Sequence, residues 1–428
     1  MYIAFFLLLA VGIEVRRCWA SLALASDVAS VLTSGEEVAL GGANDQVDGT
    51  TVASRGMLDP ASSLIGFSTV STAVSAANPR FCNNYIEFCN RSYGNITEVC
   101  AHDSPFDVAN NIASNQLYDV MTQLNDGVRM LQGQTHVLNG TLHFCHTSCA
   151  LLDAGPVEAY FSNISAWLGC HPDEVVTILI VNGDSSPVAD FVGPIQNSDL
   201  GRYVYTPHKI PMMLGDWPTL GVLIDNGARA VIFMDYGADQ MEVPYILDEF
   251  SQLWETTFSP TNASFPCTVQ RPSNLSFEQA ESLLYLTNHN LNIPVDPSNP
   301  DIFIPDPADI NRTNGVSGFG SLGLAAENCE ATWNRPPNFL LVDYYNKGSP
   351  SPGSVFEVAA SINGVSYTRT CCGSNTGTSS AASSPTSTAP SISSAPALAT
   401  SGASNLVFDT LALYVVCMVS LSTHLLWS

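Results

Sequence analysis

Positive charge is scarce in this chain. Its 428 residues include two lysines, Lys209 and Lys347, and 14 Lys plus Arg stand against 39 Asp plus Glu, a formal net charge of −25. A field of that sign repels polyanions, which excludes a nucleic-acid partner; an anionic phosphate would have to be held by a local site working against the global field. The acidity itself reads as solubility outside the cell. Cys-x-x-Cys pairs are absent and the histidines are not at zinc spacing, which argues against a structural zinc site.

The apolar runs that stand out lie at the two ends. Residues 2–13 are apolar and are followed by Ala20, Ser21, Ala23 and Ala25, the pattern of a secretory signal peptide over 1–25, although Glu14, Arg16 and Arg17 blur the cleavage point between Ala20 and Ala25. An uncleaved anchor is the alternative. Residues 26–79 lack sustained periodicity and read as a low-order lead-in. Residues 373–405 are dominated by Ser, Thr, Ala, Pro and Gly and read as a stalk. The tail, 406–428, is apolar to its end, carries no basic flank, and follows the small residues Ser401 to Asn405. That is the arrangement of a glycosylphosphatidylinositol (GPI) anchor signal, with an ordinary membrane helix as the alternative. Seven Asn-x-Ser/Thr sequons (Asn90, Asn95, Asn139, Asn163, Asn262, Asn274, Asn311) predict a glycosylated surface, and ten cysteines between the ends predict disulfides. An extracellular, surface-anchored monomer is expected.

Residues 80–372 are long enough for one large core. Short apolar runs alternate with helical patterns. Strands are predicted at 96–102, at 175–182, at 228–236, at 283–290 and at 338–346, and a hairpin turning at Asn139 and Gly140 joins VRMLQGQTHV to TLHFCH. Helices are predicted through Val108, Ile112, Val120 and Leu124, at 157–169, over YILDEFSQLWE and over SVFEVAASI. Alternating strand and helix with strands apolar on both faces implies an α/β fold with a parallel sheet, closed as a barrel at this length. Reactive residues of such barrels sit at the strand C-termini. That singles out His102, Asp103, Gln132, Gln134, His146, Asn182, Asp235, Asn288, His289 and Asp343.

Two strand ends carry histidine, in CAHDSPF and LHFCHTSC. Cleaving a phosphodiester through an internal hydroxyl requires one group to accept the proton of the attacking oxygen and another to protonate the leaving oxygen, and imidazole does both near neutrality. His136 and His143 alternate along the hairpin and read as structural.

The order AHDSPF, QLNDGVRMLQGQ, LHFCHTSC, then VTILIVNGD, GARAVIFMD and PPNFLLVDYYNKG, resembles the X-domain of phosphatidylinositol-specific phospholipases C (PI-PLC), and is similar above all to the secreted phospholipase-C-like phosphodiesterases of fungi. The resemblance implies a distorted TIM-type barrel, His102 as general base, His146 as general acid, and Asp103 and Asp343 orienting them. It also places Gln132 and Gln134 where bacterial members have Asp and Arg and animal members have calcium ligands, and Asn182 at a further substrate-facing position. Asp103 with three neutral amides would hold calcium weakly at best, so no cofactor is expected. Arg129 matches a packing arginine, and Lys209 is only a positional candidate for the phosphate. The implied partner is a phospholipid or other phosphodiester at a membrane surface. A catalytically weak barrel that binds phospho-ligands or serves the cell wall is the alternative, and a glycosidase using Asp235 and Asp343 is a third reading.

Overall fold

The computed structural model describes residues 79–296 and 299–373. The signal peptide, nearly all of the lead-in, the stalk and the tail lie outside the described residues. The described strands, in chain order, are β1 Glu98–Ala101, β2 Met130–Leu138, β3 Thr141–Cys145, β4 Asp153–Pro156, β5 Val176–Asn182, β6 Ala230–Met234, β7 Ile246–Asp248, β8 Leu253–Glu255, β9 Leu284–Asn288, β10 Asn292–Asp296, β11 Asn299–Pro305 and β12 Phe339–Val342. Eight of them form a parallel sheet in the order β7-β6-β5-β2-β1-β12-β9-β8. The order starts at β7 and ends at β8, so the distortion of the expected barrel lies at that seam, which the 3₁₀ turn Glu249–Ser251 bridges covalently.

Side chains alternate across each strand with a period of two, and this sorts the core into two layers. Cys100, Met130, Leu179, Phe233, Leu286 and Leu341 point inward and fill the barrel. Val99, Leu131, Ile178, Ile232 and Leu340 point outward against the helices, where Val157–Cys170 buries Phe161, Ile164, Trp167 and Leu168, and the closing helix Ser354–Ile362 buries Val355, Phe356 and Val358. Removing each such side chain from water stabilises the fold by about 1.5–3 kcal/mol. Above the apolar interior, the inward position at or just past the end of nearly every strand is polar.

The hairpin turns where expected: Asn139 and Gly140 both have positive φ (52° and 81°), as a tight two-residue turn matching strand twist requires. All seven sequon asparagines are exposed. Three expectations are corrected. The helix through Val108 and Ile112 forms only over Val120–Asp126, capped by the Asp119 side chain, and Val108 and Ile112 lie exposed in the preceding loop. YILDEFSQLWE is not a helix but the two short strands β7 and β8; Ile246, Leu247, Phe250, Leu253 and Trp254 fall at helical spacing by coincidence, and pairing to β6 and β9 overrides it. Disulfides join Cys82 to Cys89, Cys145 to Cys149, Cys267 to Cys329 and Cys371 to Cys372, but Cys100 is a buried free thiol inside the barrel, acting as a small apolar side chain.

Gly133 is closely packed near the barrel mouth. A methyl group there would come within 2.9 Å of the Phe144 ring and of Pro105. Gly133→Ala is therefore expected to destabilise the protein by about 1–3 kcal/mol, read as a lower urea midpoint; an unchanged midpoint would show that Phe144 moves freely.

Candidate active site

His102 follows β1, and Asp343 follows the neighbouring strand β12 in register, Ala101 beside Val342. Both side chains therefore enter the mouth side by side. Asp343 is fully buried and its Oδ1 accepts from His102 Nδ1 at 2.7 Å and from Asn115 Nδ2 at 2.9 Å. With Nδ1–H donated to the carboxylate, Nε2 is the basic nitrogen of neutral His102. Gln116 Nε2 holds the main chain below by donating to the carbonyls of His102 and Val342, 2.7 and 3.1 Å away. His146 arrives from the end of β3, its ring edge-on to Phe106. Asp103 Oδ2 lies 3.5 Å from His102 Nε2 and 3.3 Å from His146 Nε2, so one carboxylate oxygen spans the two imidazoles.

Backbone strain gathers here. Asp103, Thr147 and Tyr344, each next to one of His102, His146 and Asp343, have left-handed φ of 46°, 61° and 41°. Such values cost about 1 kcal/mol or more for non-glycine residues and persist where the surroundings fix them. For Thr147 the fixing groups are identifiable. Its N–H donates to Gln134 Oε1 at 2.7 Å, and the Cys145–Cys149 disulfide closes a five-residue ring around His146 and Thr147.

The electrostatics follow from burial against paired charges. Burial alone would lower the pKa of His102, but Asp343 first and Asp103 next outweigh it and push the imidazole up to about 9. For Asp103, burial opposes the charged form, and the two imidazoles nevertheless hold its carboxyl below the usual range.

The three amides expected at the substrate are used differently. Gln132 Oε1 accepts the Asp103 N–H at 2.7 Å and Gln134 Oε1 accepts that of Thr147, which leaves each Nε2 as the end available to a ligand. Register pairs Gln134 with Val181 and Thr135 with Asn182. Asn182 accordingly lies on the outer side of the sheet, where its carboxamide donates to the carbonyls of Ser186 and Tyr236 and accepts from the Ser186 N–H, while Val181 takes the inward position. This donor set does not fit a calcium ion. The oxygens of all three amides are committed to backbone N–H groups, and among the described residues the one grouping of ligand atoms close enough for a metal is Asp126 with Cys371 and Cys372, whose sulfurs are oxidised.

Other histidines and cations have structural partners. His136 pairs with Asp184, His143 with Asp153, and His289 is buried with Nε2 against the Thr313 carbonyl, its pKa lowered to about 4 mainly by burial. Arg129 pairs with Glu174, and Lys209 pairs with Asp216 on the surface. On the far side of the mouth, sequence reasoning singled out Asp235 and Asn288 and missed the rest. There Arg271 lies 3.1 Å from Glu255 Oε2 and 3.6 Å from Asp235 Oδ2, its guanidinium over the rings of Phe258, Phe250 and Tyr236. Asn288 donates to Glu255, and buried Glu249 lies nearby, burial first and Glu255 second raising the pKa of its carboxyl well above the ordinary range. Asn115 and Asn290, whose Nδ2 is 3.4 Å from both His102 nitrogens, were also missed. Glu255 had a usable signal, an apolar pair ending in an acid as in FMD and LVD; Arg271, in an irregular loop, had none.

The barrel of parallel strands thus carries a carboxylate-bridged histidine pair at its strand C-termini. The family model "PI-PLC X 1" matches residues 88–357, and the chain belongs to the PI-PLC X family. It is 55% identical over 299 residues to an "Uncharacterized secreted protein" of Arthroderma benhamiae, covering 70% of this chain and 67% of the relative, which agrees with an extracellular protein. It is 39% identical over 297 residues to "PI-PLC X domain-containing protein 1" of the same fungus, covering 69% and 93%. Among solved structures, a phosphatidylinositol-specific phospholipase C from Staphylococcus aureus superposes with a TM-score of 0.42 at 15% identity, covering 63% of this chain and 93% of that one. The enzyme from Listeria monocytogenes gives 0.40 at 11%, covering 63% and 94%.

Two outcomes test this geometry. In NMR titrations His102 is expected to titrate near pH 9, and Asp343→Asn to lower that value by more than one unit; an unshifted titration would remove Asp343 as the cause. The sign for stability follows: the contribution of the pair is complete below about pH 6.5, the ordinary imidazole value, and is lost as pH rises through about 9. Replacing Cys145 and Cys149 together by serine is expected to cost about 2 kcal/mol of stability and to disorder the His146 ring signal, whereas a wild-type His146 environment in the serine variant would show that the disulfide does not hold it.

Proposed function

We propose that the barrel is a phosphoric diester hydrolase of the phospholipase C kind, acting on phosphoinositide- or GPI-like substrates outside the cell. The observation that carries the reading is the single Asp103 oxygen between two imidazoles at the strand ends, with Asp343 behind His102. His102 Nε2 takes the proton of a substrate hydroxyl, that oxygen attacks phosphorus, and the bond from phosphorus to the leaving oxygen breaks as His146 delivers a proton to it. The products are a cyclic phosphodiester and an alcohol. Asp343 and Asp103 position the imidazoles, and Gln132 Nε2 and Gln134 Nε2 are the neutral donors nearest the reacting groups. Asp343, locked onto His102 with no exposed surface, is poorly placed as the free carboxylate a glycosidase needs.

An apolar rim supports a lipid substrate. Among the described residues, the three most exposed large apolar side chains, Met241 (87%), Ile112 (72%) and Phe319 (65%), all lie in loops on the mouth side, with Tyr236 and Phe258 half-exposed beside Arg271. Exposed apolar patches of this kind mark contact surfaces. The lipid anchor read from 401–428 lies outside the described residues and would keep the enzyme at that surface. The second reading, a barrel that binds without turnover, rests on the neutral amides at Gln132 and Gln134, since removing one preorganised charge-stabilising group costs about a hundredfold or more in rate.

Cleavage of phosphatidylinositol in mixed micelles is expected, falling by about a thousandfold or more in His102→Ala or His146→Ala. The rate should climb with pH towards about 9 as His102 becomes the free base. Unimpaired variants would refute the mechanism, and ligand binding with no turnover by the unmodified protein would favour the second reading.

A further inference from the structure

A second hollow, of about 540 Å³, is formed in part by the loops that follow β1 and β12, and neither histidine of the pair lines it. Its walls include the Tyr118 ring, the Cys371–Cys372 disulfide, Asn346, Lys347 and Asn311. Asn346 is 6% exposed, and its Oδ1 is buried without a hydrogen-bond partner, a costly acceptor unless a donor reaches it. Lys347 is exposed and makes no ion pair among the described residues, although the chain carries a net charge of −25. Asn311 opens the sequon Asn311-Arg312-Thr313. Its Oδ1 accepts the Gly348 N–H at 3.2 Å, which sets the carboxamide next to Lys347 and leaves Nδ2, the atom that carries an N-linked sugar, as the available end.

We infer that Asn311 carries an N-linked glycan whose innermost N-acetylhexosamine seats in this hollow and ties the surrounding loops together. The link forms as Asn311 Nδ2 loses a proton and displaces the diphosphate from the anomeric carbon of a lipid-linked oligosaccharide donor, one C–N bond forming as one C–O bond breaks. The sugar matches the hollow on each count. Its amide N–H and hydroxyls donate to Asn346 Oδ1, its acetyl carbonyl accepts from Lys347 Nζ, and its apolar ring face lies on Tyr118 and the disulfide. A small anion would answer Lys347 alone, leave Asn346 Oδ1 unpaired, and meet the repulsion of the whole chain. The loops so tied support His102 and Asp343 from behind. Gln116, two residues before Tyr118, donates to the His102 carbonyl, the Tyr344 N–H donates to the Asn115 carbonyl, and Asn314, three residues after Asn311, donates to the Asp343 carbonyl at 2.8 Å. The inference holds whether or not the barrel turns over a phosphodiester.

The test uses the full secreted protein from a eukaryotic host that attaches N-glycans. Glycopeptide mass spectrometry should find Asn311 occupied. On the folded protein, peptide N-glycosidase should release the Asn311 glycan at least about tenfold more slowly than the glycans of the other sequons, and Asn346→Leu should bring that rate towards theirs. Thr313→Val removes the sequon, keeps the shape of the side chain and breaks no hydrogen bond, because Thr313 Oγ1 has no partner. It should lower Tm by about 2–4 °C and speed amide exchange at Asn346, Lys347 and Gly348 about tenfold. Asn311→Gln should do the same, whereas the unmodified protein trimmed to its innermost sugars should keep both values. An unoccupied Asn311, release as fast as at the other sequons, or unchanged Tm and exchange in Thr313→Val would each overturn the inference.

Discussion

A 2.7 Å contact between His102 Nδ1 and the fully buried carboxylate of Asp343 joins two residues 241 positions apart in the chain. It is available only because β1 and β12 run parallel in register, so that the first and last barrel strands deliver their ends to one place. The pair fixes the tautomer of His102 and raises its basicity, and it supplies the negative charge against which Asn115 is oriented. Asp103 then couples this imidazole to His146. Left-handed backbone directly follows His102, His146 and Asp343, and at Asp103 it goes with two successive side chains, His102 and Asp103, meeting in one mouth. The strain is local, and the stapled ring at Cys145–Cys149 holds part of it in place.

The scarcity of basic residues acquires a structural meaning at this mouth. Each arginine with a recorded side-chain ion pair is matched by a carboxylate, and the guanidinium at the mouth, Arg271, is bound on both sides by acids and covered by aromatic rings. On the proposed reading, a phosphate would face two imidazoles and two carboxamide NH₂ groups whose oxygens are held by backbone N–H donors. On that reading the site would stabilise charge with neutral dipoles and movable protons.

Much of this was legible in the residues. Apolar runs ending in a polar side chain marked β1, β2, β5, β6, β9 and β12, and the two histidines in their motifs marked the mouth. What escaped did so for identifiable reasons. Glu249 and Glu255 were hidden inside a segment whose apolar residues mimic helical spacing. Asn182 and Val181 differ by one position, and with a period of two that single step decides whether a side chain enters the barrel or leaves it. Arg271, Asn115 and Asn290 lie outside the strands, where no periodicity reports direction, and only tertiary contact brings them to His102 and Glu255. Cysteine parity could not distinguish the paired thiols from Cys100, whose place inside the barrel is set by packing.

The central claim is that one phosphate is served by both imidazoles. A crystal structure of the protein with inositol 1-phosphate bound tests it most directly. The account predicts phosphate oxygens within about 3 Å of both His102 and His146. A phosphate seated on Arg271, away from the histidine pair, would contradict it.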